Sequence, residues 1–343
     1  MHARASRSSY RSHPGRPAPG LLAGLGAALV AFAAGAPDRA PGELVEVRRL
    51  PGHVDGVEDL ALSPDGRRLA TADQNVTLRL WSFPEGELER RTLTAASSLR
   101  FDPAGRRLAL DPLEEDHSIW LLDVESGEVA QELAGHLGYL QGFDFPGEGS
   151  RLYSAASDGT LRSWDLEDGT ELHSEPFGEG HVHALALVAE GELLAAAGGD
   201  GDGGGVVRLW DVESWKRKRT LELDHPVVGL SASADGALLL SHGGERELVL
   251  WDARKGRRKR QYKVEGQVFT AALSPDGKRV AVGYQGGVLE LLDAARGKEL
   301  VRVVAHPEGD YPGVYQAVFA PDGEHLVTGG AGEEVVVWSL ADL

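Results

Sequence analysis

The sequence predicts an all-β fold assembled from seven copies of one four-strand unit, and three observations lead there. A Gly-containing turn recurs seven times, at Ser63–Gly66, Asp102–Gly105, Pro146–Gly149, Val188–Gly191, Ser233–Gly236, Ser274–Gly277 and Ala320–Gly323, with glycines 39, 44, 42, 45, 41 and 46 residues apart. A second set of anchors runs in phase: Trp81-Ser82, Leu122-Asp123, Trp164-Asp165, Trp210-Asp211, Trp251-Asp252, Leu292-Asp293 and Trp338-Ser339. The segments between are short runs rich in Val and Leu, broken by Pro, Asp and Gly. A self-similar period of about 40–45 residues marks a repeat architecture. Short strands at this spacing suit a barrel, a sandwich or a propeller.

The first unit sets the grammar. Val57–Leu62 reads as a strand, Ser63–Gly66 as a tight turn and Arg67–Ala72 as a second strand. Asp73–Asn75 turns into a third, Val76–Trp81, and Pro84–Gly86 leads to a fourth, Glu87–Leu93. In such turns Pro presets φ, and Gly supplies the positive φ at which the chain reverses. At the ends of the array, Glu43–Leu50 reads as one extra strand. The last unit supplies only three, Val314–Phe319, His325–Thr328 and Glu333–Trp338.

Over about residues 43–343 this pattern resembles the WD-repeat β-propeller family. The family's Gly-His dipeptide appears as Gly52-His53, Gly135-His136 and Gly180-His181, with weaker counterparts at Asp224-His225 and Ala305-His306. It is missing from units two and six, which have Ala95-Ala96 and Gly266-Gln267 there. Trp-Asp is complete at Trp164, Trp210 and Trp251 and eroded elsewhere. The resemblance implies a seven-bladed β-propeller of four-stranded antiparallel blades around a channel. It also implies that Glu43–Leu50 completes the last blade and closes the ring, removing exposed edges. A buried set of His, Ser or Thr, Asp and Trp ties each blade in this family. The third unit offers all four as His136, Ser154, Asp158 and Trp164, and the sixth offers none of the polar partners.

Charge and composition narrow the function. The formal net charge is −18. Residues 1–36 contain Arg4, Arg7, Arg11 and Arg16 and no acid, so removing their +4 leaves −22 on the remainder. Nucleic-acid binding is not predicted for such a body, since its footprint would be basic. Without cysteine there is no disulfide, thiolate metal site or Cys nucleophile. A basic stretch, the apolar run Leu21–Ala34 and small residues at its exit predict a secretory signal peptide in residues 1–36. Cleavage is expected after Ala33 or near Ala36, and residues 37–42 form a linker. The apolar run falls short of the roughly 20 residues of a spanning helix, so an uncleaved membrane anchor is the alternative. The predicted place of action is periplasmic or extracellular.

The Trp-Asp, Gly-His and turn Asp residues read as structural. His181 and His183 alternate onto one strand face, yet no carboxylate stands at fixed spacing to complete a metal site. Asp200-Gly201-Asp202 resembles part of a calcium loop without its remaining ligands and reads as a flexible loop. The basic clusters Lys216–Arg219 and Arg254–Arg260 fall on outer strands, where Lys and Arg block edge pairing. No nucleophile elbow, phosphate loop or HExxH occurs, so no catalytic, cofactor or metal residue is predicted. The expected site is the face bearing the d–a and b–c loops. Its candidates are Asp55, Asn75, Glu114, Glu115, Asp116, Tyr139, Arg246, Tyr284, Gln285, Asp310 and Tyr311. Tyrosines among charges suit a rim that binds a protein or peptide. The sequence therefore predicts a monomeric, non-catalytic scaffold. The rival reading is an enzyme or small-ligand sensor at the channel mouth.

Overall fold

The computed structural model describes residues 43–73, 77–112, 117–147, 149–243, 245–307, 309 and 311–343. The expected signal segment and linker, residues 1–42, lie outside the described residues. The described chain is an all-β propeller whose 27 strands pair antiparallel throughout. Strands within a unit are lettered a to d from the channel outward. Unit 1 runs Val57–Leu62, Arg68–Asp73, Leu78–Ser82 and Leu88–Thr92, and units 2 to 4 repeat this as four-stranded sheets. A fifth four-stranded sheet joins the chain ends. In it Val45–Leu50 pairs with Val335–Ser339, with Leu50 opposite Val335 and Val45 opposite Ser339.

The expectation of seven separate four-stranded sheets is corrected at units 5 and 6. There one seven-stranded sheet runs from Gly229–Ala232 to Glu299–Val304, because a single 17-residue strand, Arg257–Leu273, serves both units. Its first part pairs with Glu245–Asp252 and its last part, from Val268, with Arg279–Tyr284. The physical reason lies in Val264–Gln267, which contains no proline and no Gly-His to break the strand. Gly266, at φ +116°, takes a conformation L side chains rarely adopt, and a register shift opposite Glu245–Glu247 absorbs the bend. The strand thus passes from an outer to an inner edge without a loop.

Side chains alternate between the two faces of a strand, and in b and c strands such as Arg68–Asp73, Leu78–Ser82 and Gly205–Asp211 most residues on both faces are buried. Each face packs on a neighbouring sheet. Seven apolar clusters result among the described residues, each joining two successive units. The last packs Val327, Val335 and Val337 of unit 7 against Val57, Leu69 and Trp81 of unit 1. Burying each Leu or Val contributes about 1.5–3 kcal/mol, so closure adds one full interface beyond those an open array would have.

Candidate functional site

Antiparallel order puts the a–b and c–d turns at one end of the propeller and the d–a and b–c loops at the other. At the turn end the polar side chains bond to their own turns. Ser63, Ser233 and Ser274 donate to Asp65, Asp235 and Asp276 at 2.6, 2.6 and 2.7 Å. The aspartates after the Trp or Leu anchors accept local backbone N–H groups, as Asp165 does from Glu167 at 2.7 Å and Asp252 from Lys255 at 2.9 Å. These carboxylates close Asx-type turns.

In unit 3, His136 Nδ1 lies 3.0 Å from Asp158 and its Nε2 2.8 Å from Ser154 Oγ, which accepts Trp164 Nε1–H at 2.8 Å. The bonds require Nδ1–H donating to the carboxylate and the hydroxyl donating to Nε2. Burial opposes ionisation of Asp158, but bonds from Leu137 N–H, Thr160 and His136 outweigh it and hold the carboxyl at about 2. Unit 1 builds the same set from His53, Thr71, Asp73 and Trp81, which reading the sequence missed. The signal was present. However, Asp73 follows Thr71 by two positions, whereas Asp158 follows Ser154 by four. Unit 7 keeps His306, Thr328 and Trp338, and unit 5 only Ser241 and Trp251.

His181, in a complete Gly-His pair, is exposed, because Ala196 stands where unit 3 has Ser154 and leaves the imidazole no hydroxyl. Unit 6 has Val282 where unit 3 has Ser154, and it carries a different polar set of its own. Tyr284 donates to Glu290, which also accepts Arg302 Nη2–H at 2.9 Å, and the guanidinium sits 5.5 Å over the Tyr284 ring. Tyr284 is consequently 2 % exposed, which corrects its expected place on the rim. Its place at a strand end opposite Val268 turns the ring inward.

At the loop end, Tyr139 and Tyr311 are 70 % and 76 % exposed. Tyr139 meets His117 edge-on, with centroids 4.9 Å apart, and the Tyr311 carbonyl accepts the Tyr315 hydroxyl at 2.9 Å. Asp55 accepts Gly56 N–H at 2.8 Å, and Gln285 bridges to Gly313. Arg246 lies within strand Glu245–Asp252. Asn75, Glu114, Glu115, Asp116 and Asp310 lie outside the described residues. Two exposed apolar residues were not anticipated, Val54 and Leu137, at 60 % and 83 %. Each follows a Gly-His. The Asp that binds the imidazole also accepts the next N–H, at 3.3 Å from Val54 and 2.9 Å from Leu137, and both side chains stand in solvent.

The other candidates resolve simply. His181 and His183 have ring centroids 6.5 Å apart, and among the described residues no group of three His, Asp or Glu could hold a metal ion. Asp200 accepts from Asp202 and Gly204 N–H at 2.9 Å each, so its carboxylate organises its own loop. In the basic clusters Arg254 pairs with Glu192 at 2.7 Å, Lys218 with Asp211 at 3.1 Å, and Arg219 Nε donates to the Arg254 carbonyl.

The a strands surround a channel, and polar links join neighbouring a strands around it. Asp59 accepts Leu99 N–H at 2.6 Å, Asp144 accepts Leu187 N–H at 2.9 Å and Ser231 accepts Leu273 N–H at 3.0 Å. Gln316 receives the Thr270 hydroxyl and donates to Asp59, at 2.9 and 2.6 Å. It lines both a cavity of about 430 Å³ on the turn side and one of about 240 Å³ at the loop-side mouth, as Leu230 and Ala271 also do.

The phased repeats, the blades and the His–Ser/Thr–Trp ties define a β-propeller that carries WD repeats. The family description "WD domain, G-beta repeat" matches residues 44–82 and 127–165, and "Outer membrane protein assembly factor BamB" matches residues 203–342. Similar curated proteins include the guanine nucleotide-binding protein subunit beta of Nicotiana tabacum, 26 % identical over 87 % of this chain and 72 % of the relative. The small ribosomal subunit protein RACK1 of Schizosaccharomyces pombe is 26 % identical over 57 % of this chain and 76 % of its own length. Protein groucho of Drosophila melanogaster is 27 % identical over 40 % of this chain and 19 % of its own.

Proposed function

We propose that the chain is a non-catalytic, monomeric interaction scaffold whose loop face binds a protein or peptide. The observation that carries this is the exposed set Val54, Leu137, Tyr139 and Tyr311 at one end, set against an opposite end whose polar groups serve its own turns. Apolar and aromatic groups held on a rigid ring bury area on docking with little ordering cost. Two relatives are named as subunits of larger assemblies, which supports the same reading. The scaffold is read as seven-bladed, with the seven-stranded sheet acting as two blades fused by one strand. Seven inner strands and seven apolar clusters support that count.

The same reading places the protein outside the cytoplasm of a bacterium, exported by residues 1–36, or anchored by them if they stay uncleaved. The basic-then-apolar order of that segment supports export. Affinity capture from an envelope fraction, with wild type and Leu137→Asp/Tyr139→Ala side by side, tests the scaffold. Recovery of a protein by wild type alone is expected, and recovery of none by either would refute it. Sequencing the mature N-terminus tests export, and a chain still beginning at Met1 argues against cleavage.

A further inference from the structure

The docking face proposed above has a charge of its own. Its d–a and b–c connections contain no Lys and no Arg in the sequence, whereas the opposite turns carry Arg67, Arg106, Lys216, Arg254, Lys255 and Lys278. Arg246, the basic residue expected on this face, lies in a strand between Glu245 and Glu247. Acids recur in the connections instead. Glu179, Asp202, Asp224 and Glu333 are exposed there, on units 4, 5 and 7, and none forms an ion pair among the described residues.

Arg79 and Arg208 reach these loops from the c strands beneath, and both are committed. Arg79 is 6 % exposed and donates to the Gly52 carbonyl. Arg208 is 8 % exposed and donates to the carbonyls of Phe177 and Glu179, at 3.0 and 3.2 Å. Their guanidinium groups therefore hold the loops and do not pair with the exposed acids. The same end also presents apolar surface. Leu93 is 74 % exposed in the connection from unit 1 to unit 2, and Val54, Leu137, Tyr139 and Tyr311 stand in other connections of that end.

Together these features select a partner by chemistry. The apolar groups favour burial, yet an acidic segment would meet only like charge. A wholly apolar segment would strip water from carboxylates without replacing it. Lys and Arg satisfy both kinds of surface. Their stems pack on apolar side chains, and their cationic heads reach carboxylates or sit over a tyrosine ring. Resting on the docking reading above, we propose that the partner is a Lys- and Arg-rich protein segment with apolar anchors. It seats on Val54, Leu93, Leu137 and the two tyrosines, and the acids of units 4, 5 and 7 hold it in register. The opposite charges of face and segment speed encounter, and salt weakens them.

Selecting a phage-displayed random-peptide library on the full chain tests this, with Leu137→Ser/Tyr139→Ala as the counter-selection. Enriched peptides are expected to be net positive and to contain Leu, Tyr or Trp. In fluorescence anisotropy, Glu179→Gln/Asp224→Asn/Glu333→Gln should weaken such a peptide about tenfold at low salt. Salt at about 0.5 M should erase that difference. Neutralising Glu85, Glu125 and Glu128 at the turn end, each to Gln, should leave binding unchanged. Enrichment of neutral or acidic peptides that need Leu137 and Tyr139 would overturn the basic partner while leaving the docking face standing. Equal weakening by the turn-end variant would overturn it as well, by reducing the attraction to net charge. If wild type retains no peptide over Leu137→Ser/Tyr139→Ala, the docking reading itself falls, and this inference with it.

Discussion

Ser154 shows how much one hydroxyl decides in this molecule. It receives the Trp164 indole N–H and donates to His136, both buried, so Ser154→Ala strands two polar groups at once. The expected loss is about 2–4 kcal/mol, read as a lowered urea midpoint. In unit 5 only Trp251 depends on Ser241, and Ser241→Ala should cost roughly half as much, about 1–2 kcal/mol. Equal losses at the two sites would refute the network reading. The histidines set an acid limit. Burial lowers His242 and His306 from the usual 6.5 to about 4. Below pH 6.5 the unfolded chain takes up protons that the folded chain refuses, so stability is complete above that pH and falls towards pH 4. The loss should be on the order of a few kcal/mol, visible as a falling denaturant midpoint. His306→Gln should flatten that fall, and a fall unchanged in this variant would remove His306 from the account.

At the scale of elements, two strands hold the ring together in different ways. Val45–Leu50 pairs along the whole of Val335–Ser339 and delivers Leu50 to the cluster shared by units 7 and 1. Removing residues 43–50 uncovers a strand edge and part of an apolar interface, so self-association is expected. Light scattering coupled to size exclusion should show larger species, and an unchanged monomer would mean that the pairing is dispensable. The long strand Arg257–Leu273 depends on Gly266. Gly266→Ala forces a side chain into φ +116° and brings its Cβ to 3.4 Å from the Tyr284 ring. A cost of about 1–2 kcal/mol is expected, measurable by thermal or urea unfolding.

For the whole molecule, the seven apolar clusters make each unit depend on two neighbours, so unfolding of the ring should be more cooperative than that of an open array. The loop face lies outside that dependence. Leu137→Asp and Tyr139→Ala remove exposed side chains, and their effect on stability should stay within about 0.5 kcal/mol. Partner capture by these variants should nevertheless be lost. A parallel fall in melting temperature would point to a structural role for the two residues and away from docking.

Much of this architecture was legible in the chain. Glycine turns and Trp anchors recur because every blade must reverse at the same places and bury the same wide side chain, so the period and the all-β class follow from local chemistry. The set at His136, Ser154, Asp158 and Trp164 could be read because each residue type sits at its family position. Tyr284 could not, since a tyrosine at a strand end looks the same whether its ring faces solvent or the Glu290–Arg302 pair. His181 misled for the converse reason, because an intact motif is silent about the missing hydroxyl at Ala196. By itself the sequence determined the repeat, the polar turns and the apolar strands, all of which depend on near neighbours. Only the tertiary structure decided that one strand would join two units at Gly266, and that Val54 and Leu137 would stand in solvent. These depend on residues far apart in the chain, brought together when the ring closes.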